Sequence, residues 1–305
     1  MSLINPLRGT GVALITPFDK KQAVDFDALG RVIEHVISGG VEYVVTLGTT
    51  GETPTISKTE KAEIIQYTMD AVSGRVPVVI GVGGNDTRAV VAELETLPLQ
   101  QAIAVLSASP YYNKPTQEGI FRHYEVLASA SPKPIILYNV PGRTGRNMNA
   151  STTLRLAREV PNIAGIKEAS GDMAQCMQLL KERPEQFLVV SGDDALALPQ
   201  IACGMDGIIS VAANAFPEAF TQLVRSALLG DFKKARTFND GLLEAYDLMF
   251  TENNPAGVKA FMSEMGLIAN HLRLPMVPVT PSTLEKIQAF MQRAKKKPDY
   301  AFQTL

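Results

Sequence analysis

Tryptophan is absent from the 305 residues, and cysteine and histidine are nearly so, with two and three copies. Each scarcity removes a class of protein. Cys176 and Cys203 stand apart in no metal-like spacing, which argues against a disulfide-stapled scaffold and suits a reducing compartment. His35, His123 and His271 fall in or beside helix-like segments, so the paired acids Asp193 and Asp194 find no histidine or third carboxylate spaced to complete a site, and no metal is expected. No apolar run reaches the roughly 18 residues that cross a bilayer. The stretch Met1 to Pro6 has no signal-peptide profile. Charge of one sign is lacking too: 29 basic against 31 acidic residues leave a net charge of -2, with no global field for nucleic acid or an anionic membrane. The expectation is a cytoplasmic protein that works on small molecules, with neither nucleic acid nor membrane as partner.

What the chain does contain is a repeated alternation. Apolar, β-like runs at 11–16, 41–47, 76–81, 102–106, 134–138, 163–167, 187–191 and 207–211 are separated by amphipathic helical segments. The first such segment carries Leu29, Ile33, Val36 and Ile37 on one face and is stopped by Gly39-Gly40. Ser57-Lys58-Thr59-Glu60 is a capping box opening a helix to about Val72, and another cap falls at Asn85 or Asp86. Eight strand and helix units within about 230 residues predict an α/β fold of the TIM (β/α)8 barrel type. A doubly wound open sheet has the same inventory, since counting units does not prove closure. After residue 230 the strand signals stop, and helices are predicted at 231–250, 255–268 and 282–297 around the Pro-rich stretch 274–281. The expected division is a barrel carrying the active site over 1–230 and a C-terminal helical appendage over 231–305, with Lys295-Lys296-Lys297 as a solvated helix end.

Polar residues that follow the strands of such a barrel converge on one mouth. The sixth run ends on Lys167. An ammonium buried there is costly, and a neutral amine with a pKa below its usual value of about 10.4 is the cheaper state. Such an amine can form a Schiff base with a ketone or keto acid; the alternative is a lysine that reaches solvent from a strand end. After the second run, Gly48-Thr49-Thr50-Gly51-Glu52 offers backbone N–H groups and two hydroxyls as a nest for a carboxylate, or else an ordinary Gly/Thr turn. Tyr111 and Tyr112 follow the fourth run, and Tyr138 ends the fifth, just before Asn139-Val140-Pro141-Gly142-Arg143-Thr144-Gly145. Tyrosines at strand ends serve packing, or the proton transfers that making and breaking an imine requires. Arg143 is a fork suited to a carboxylate, or a surface arginine in a turn. Ser191-Gly192-Asp193-Asp194 offers a tight turn and a helix N-cap. Gly81-Val82-Gly83-Gly84-Asn85 lacks both a third glycine and a following Lys-Ser/Thr, so neither nucleotide fingerprint is met.

Taken in order, these motifs resemble the pyruvate-dependent class I aldolase family of dihydrodipicolinate synthase and N-acetylneuraminate lyase, from the first run to Arg273-Leu274-Pro275-Met276. The stretch from Tyr138 to Gly145 looks like the synthase branch. That resemblance implies a lyase without cofactor, condensing pyruvate with L-aspartate 4-semialdehyde in lysine and diaminopimelate biosynthesis. Lys167 would form the pyruvate imine, and Tyr138 would shuttle protons through Thr49 to Tyr112, which reaches in from a neighbouring subunit. Thr50 would hold the pyruvate carboxylate, Arg143 that of the semialdehyde, and the backbone at Gly192 and Ile209 would border the pyruvate. A homotetramer, as a dimer of dimers with Tyr111 at the same interface, is implied. Many bacterial members are inhibited by lysine at that interface. Asn85 and Tyr111 fit the pattern, but Lys58 and Lys61 replace frequent histidines and Ala89 an acidic residue, so weak or absent feedback is expected. The rival readings are a retro-aldolase for sialic acid or another sugar keto acid, and a keto-acid sensor without turnover.

Overall fold

The computed structural model describes residues 2–295. Its strands are β1 (Gly9–Ala13), β2 (Tyr43–Thr46), β3 (Val78–Gly81), β4 (Ala104–Ala108), β5 (Ile135–Asn139), β6 (Ile163–Glu168), β7 (Leu188–Ser191) and β8 (Gly207–Ser210). Each pairs in parallel with the next and β8 pairs back onto β1, so the sheet closes and the open-sheet alternative falls. The strands are buried on both faces, as a parallel sheet covered by helices requires. Ile136, Tyr138, Leu188, Val190 and Ile209 fill the barrel, while Ile135, Leu137, Val189 and Ile208 face outward to the helical layer. The first strand lies earlier than the predicted 11–16. Leu14 N–H still bonds the Val45 carbonyl of β2 at 2.9 Å, and beyond it the chain bonds elsewhere, Ile15 N–H to Asn214 Oδ1 at 3.1 Å and Thr16 Oγ1 to the Gly51 carbonyl at 2.8 Å.

Around the barrel run α1 (Phe26–Ser38), α2 (Lys58–Val72), α3 (Thr87–Thr96), α4 (Gln117–Ala130), the short α5 (Pro141–Thr144), α6 (Ala150–Glu159), α7 (Met173–Glu182), α8 (Ala197–Ala202) and α9 (Pro217–Leu228). The Ser57/Glu60 capping box opens α2, and Asp86 caps α3. The cap expected at Asp193-Asp194 is corrected: α8 begins only at Ala197, with Leu196 as its N-cap. Asp193 closes a turn onto the N–H groups of Ala195 and Leu196. Asp194 is buried and reaches instead across to the chain just after β8, where it accepts from Val211 and Ala212 N–H at 3.1 and 2.8 Å. Those donors open the short turn Ala212–Asn214.

The appendage continues with α10 (Phe232–Phe250), α11 (Ala256–Glu264) and α12 (Pro281–Lys295); residues 296–305, including Lys296 and Lys297 of the predicted basic end, lie outside the described residues. Helix α10 packs along α9. Phe216, Phe261 and Phe290 meet edge to face with centroids 5.5 to 6.1 Å apart, which joins α11 and α12 to the barrel. A polar tie is deeper. Lys259 of α11 is fully buried, ion-paired with Glu52, donates to the His271 carbonyl at 3.0 Å and lies 4.3 Å from the centroid of Phe18. Burial pushes its ammonium down to about 8, while Glu52 holds it up. The second Glu52 oxygen accepts from Arg273 N–H at 3.0 Å, and the Arg273 guanidinium spans Glu60, Gln22 O and Thr55 O.

Candidate active site

Strict alternation counted from Ile163, which faces outward, would aim Ile166 into the barrel and Lys167 out of it. The register reverses this. Ile135 pairs with Ile163 but Ile136 with Gly165, so β6 carries an extra residue at Ala164. Such a bulge re-aims everything after it. Ile166 therefore joins the outer core, and Lys167 faces inward beside Tyr138, its partner in the register. Lys167 is 4 % exposed and its Nζ lies 4.4 Å from the centroid of the Tyr138 ring.

The next pair along, Asn139 and Glu168, points outward and is fully buried. Glu168 accepts from Asn139 Nδ2 at 3.0 and 3.1 Å, from Ser170 N–H at 2.7 Å and from Gln175 Nε2 at 3.0 Å. Asn139 Oδ1 takes Met148 N–H at 2.9 Å. This clamp fixes the ends of β5 and β6 one residue beyond the Tyr138 and Lys167 pair. On the other side, a Cβ at Gly192 would stand 2.9 Å from Lys167 Cε and 2.7 Å from Ala169 Cβ. Only glycine leaves room there for the lysine stem.

The turn after β2 is bracketed by two non-glycine residues in the left-handed region, Leu47 at φ 57 and Glu52 at φ 55. Such conformations cost about 1 kcal/mol or more each and persist where surrounding structure fixes them. The buried Glu52 tie does so here. A Cβ at Gly81 would stand 2.1 Å from the Leu47 carbonyl oxygen, so β3 makes way for the turn. Thr50 is buried within it, and its Oγ1 accepts from Asn254 Nδ2 at 2.9 Å. Arg143 rises from α5 and donates from Nη2 to Asn253 Oδ1 at 3.0 Å.

One cleft of about 740 Å³ at the C-terminal ends of the strands brings Lys167, Tyr138, Thr49, Thr50, Arg143 and Gly192 together. Tyr246 and Val211 wall it as well. The Val211 N–H is held by Asp194, whose carboxyl burial pushes up to about 6 against the hydrogen bonds of Ser210, Ala212 and Val211. The side chain of Ile209, whose backbone is expected to border the pyruvate, fills the barrel interior, and Val211 two residues on lines the cleft. Tyr112 stands outside this chain's cleft, 87 % exposed at φ 69. Tyr111, Asn85, Lys61 and Ala89 line a second cavity of about 520 Å³ that shares Gly48, Thr49, Tyr138 and Arg143 with the first. Lys58 is exposed at the start of α2 and does not line it, and Lys61 is paired with Glu93 at 2.6 Å.

Glu52, Asn139, Glu168, Asn253 and Asn254 went unassigned as individual supports in the sequence. Asn139 and Glu168 directly follow the two residues singled out, and that adjacency was the available signal. Asn253-Asn254-Pro255 reads only as a turn. Among the described residues no group of three or more His, Cys, Asp or Glu is disposed to hold a metal ion, and no helix is long and apolar enough to cross a membrane.

The chain and its architecture have close counterparts. The chain is 49 % identical over 291 residues to the 4-hydroxy-tetrahydrodipicolinate synthase of Parabacteroides distasonis, covering 95 % of this chain and 98 % of the relative. It is 50 % identical over 291 residues to the enzyme of the same name from Phocaeicola vulgatus, with the same coverage of 95 % and 98 %. Among solved structures, dihydrodipicolinate synthase from Aquifex aeolicus superposes with a TM-score of 0.91 at 37 % identity, covering 94 % of this chain and 98 % of that one. The synthase from Acinetobacter baumannii, solved in complex with pyruvate, gives 0.91 at 38 % identity over 94 % and 98 % of the two chains. The model of the dihydrodipicolinate synthetase family matches residues 6–294, and the chain belongs to that family.

Proposed function

We propose that the chain condenses pyruvate with L-aspartate 4-semialdehyde to 4-hydroxy-tetrahydrodipicolinate, a lyase reaction of lysine and diaminopimelate biosynthesis. The observation that carries this is the buried Lys167 amine 4.4 Å from the Tyr138 ring, in one cleft with Thr49, Thr50 and Arg143. The amine attacks the ketone carbon of pyruvate, and the carbinolamine loses water to give the imine. Loss of a methyl proton gives the enamine, whose carbon attacks the aldehyde. The amino group of the semialdehyde then adds to the imine carbon, closes the ring and expels Lys167. The lysine is itself the electron sink, so the cycle calls on no further group.

In this reading Tyr138 and Thr49 carry protons to and from the imine, Thr50 binds the pyruvate carboxylate and Arg143 that of the semialdehyde. Gly192 borders the pyruvate by its backbone. On the eighth strand Ile209 borders the pyruvate by its backbone, with Val211 lining the cleft two residues on. Tyr112, projecting at 87 % exposure beside the half-exposed Tyr111, is assigned to a neighbour's relay within a homotetramer built as a dimer of dimers. The work is placed in the cytoplasm, in keeping with two unpaired cysteines. The division near residue 230 separates the barrel that holds the lysine from the helices that brace its mouth.

Incubation with pyruvate and L-aspartate 4-semialdehyde is expected to yield the cyclic product, and borohydride with pyruvate to add mass at Lys167. Turnover of N-acetylneuraminate in place of the semialdehyde reaction would refute the substrate assignment. An unlabelled Lys167 would refute the chemistry and favour a sensor.

A further inference from the structure

The loop between α10 and α11 supplies two consecutive asparagines, and they hold the two groups that meet carboxylates in the reading above. Asn254 Nδ2 donates to Thr50 Oγ1 at 2.9 Å. Asn253 Oδ1 accepts from Arg143 Nη2 at 3.0 Å and from the Asn254 N–H at 2.9 Å. Asn253 sits in the left-handed region at φ 77, with its own N–H bonded to the Phe250 carbonyl at 3.0 Å. We propose that Asn253 is a positioning residue that aims Arg143 at the second substrate, and that the position calls for a neutral acceptor. The inference rests on Arg143 as the binder of the aldehyde's carboxylate.

Arg143 emerges from a helix of four residues and its side chain is exposed, so little packing fixes its direction. Among the described residues the Asn253 amide oxygen is the one side-chain partner of its guanidinium, and no carboxylate pairs with it. The fork is therefore oriented by one hydrogen bond while its charge and remaining donors stay free for an incoming anion. An aspartate in the same place would make the same bond but would also form an ion pair, and a substrate carboxylate would then have to compete with it. Asparagine further suits the backbone, because it is among the few non-glycine residues that tolerate positive φ. The second bond, from the Asn254 N–H, holds the amide oxygen against its own loop and leaves the Asn254 side chain's bond to Thr50 to stand by itself.

Two variants separate aim from backbone. Asn253→Gly keeps the left-handed conformation and removes the acceptor; Asn253→Asp keeps both and adds only charge. Steady-state kinetics of each, beside wild type and Arg143→Ala, are expected to show the KM for L-aspartate 4-semialdehyde raised about tenfold in both Asn253 variants. The KM for pyruvate and the borohydride labelling of Lys167 are expected to stay within about twofold, since a residue that aims Arg143 affects only the second substrate. Thermal melts confirm that each variant is folded. An unchanged aldehyde KM in Asn253→Gly, with Arg143→Ala impaired, overturns the positioning role. Wild-type behaviour of Asn253→Asp overturns the requirement for neutrality. If both substrates' KM values rise together, the loop is a structural support and the proposal fails. If Arg143→Ala itself leaves the aldehyde KM unchanged, it is the underlying reading of Arg143 that fails.

Discussion

Replacing Gly192 by alanine tests whether the lysine is aimed by the backbone of the next strand. The added Cβ would lie 2.7 Å from Ala169 Cβ and 2.9 Å from Lys167 Cε, with Cγ at 3.1 Å. Carbon atoms in contact sit at about 3.5 to 4.0 Å, so roughly 1 Å must be found. Gly192 does not occupy the left-handed region, so alanine brings no backbone penalty and the conflict is steric. Ala169 is fixed on the chain, since its N–H bonds the Asn139 carbonyl at 2.8 Å, and Gly192 N–H bonds the Glu168 carbonyl at 2.8 Å. The lysine stem is the part with freedom to move. Overpacking of this kind costs about 1 to 3 kcal/mol, and a displacement of about 1 Å at the reacting atom can cost about a hundredfold in rate. The expected result is a folded protein, with Tm lower by several degrees, in which borohydride trapping of pyruvate on Lys167 is slowed by about 10- to 100-fold. Wild-type trapping rates in a folded Gly192→Ala protein would refute the view that this contact places the amine.

Two further outcomes follow from the site and its surroundings. The Asp194 carboxyl, raised by burial from 3.8 to about 6, favours the protonated protein, so its contribution is complete below pH 3.8 and is lost as pH rises through about 6. That gap corresponds to about 3 kcal/mol. Asp194→Asn keeps an oxygen for Val211 and Ala212 N–H and removes the titration, so its stability relative to wild type should climb by up to about 3 kcal/mol between pH 4 and 7. His123, pushed down to about 4 by burial, has the opposite slope in the same window. The difference between the two proteins in urea unfolding is therefore the readout, and a difference independent of pH would disprove the assignment. For the second cavity, Lys61 is already paired with Glu93 at 2.6 Å and Ala89 brings no carboxylate, so the amine of a bound lysine would lose a partner worth about 1 to 3 kcal/mol. Feedback by lysine is expected to be weak or absent in steady-state assays, and half-maximal inhibition at submillimolar lysine would contradict it.

Much of this could be read from local pattern. Periodicity and caps are short-range signals, so helix α1 begins and ends where its apolar stripe and Gly39-Gly40 place it, and the Ser57/Glu60 box opens α2. The strand-end position of Lys167 was legible for the same reason. Its direction was not, because the bulge at Ala164 is a property of the pairing between β5 and β6. Nor could alternation alone show that Val211 and not the Ile209 side chain reaches the cleft, since the depth at which a strand leaves a barrel depends on its neighbours' stagger. Asp193-Asp194 had the composition of an N-cap, but burial turned Asp194 toward donors in the turn after β8. The pairs Arg143 with Asn253 and Glu52 with Lys259 span 110 and 207 residues, distances at which no local motif carries information.

Those long-range pairs bear on why a barrel with eight complete units carries three more helices. A lysine held by β6, β7 and the Asn139 and Glu168 clamp needs nothing from the appendage. The two residues proposed to meet carboxylates do, since Thr50 is bonded from Asn254, Arg143 from Asn253, and the turn that carries Thr50 is pinned through Glu52 to Lys259 and Arg273. Taking the Lys259 and Glu52 charges out of water costs several kcal/mol per ion, and apolar residues of similar volume could fill the space at no loss of stability. What apolar residues could not do is fix a turn bracketed by two left-handed residues in one geometry. The ion pair is thus better understood as registering the Thr49-Thr50 turn against α11 than as a source of stability. On the proposed reading, chemistry resides in the barrel, while the spacing of the groups that would meet its substrates is set from outside it.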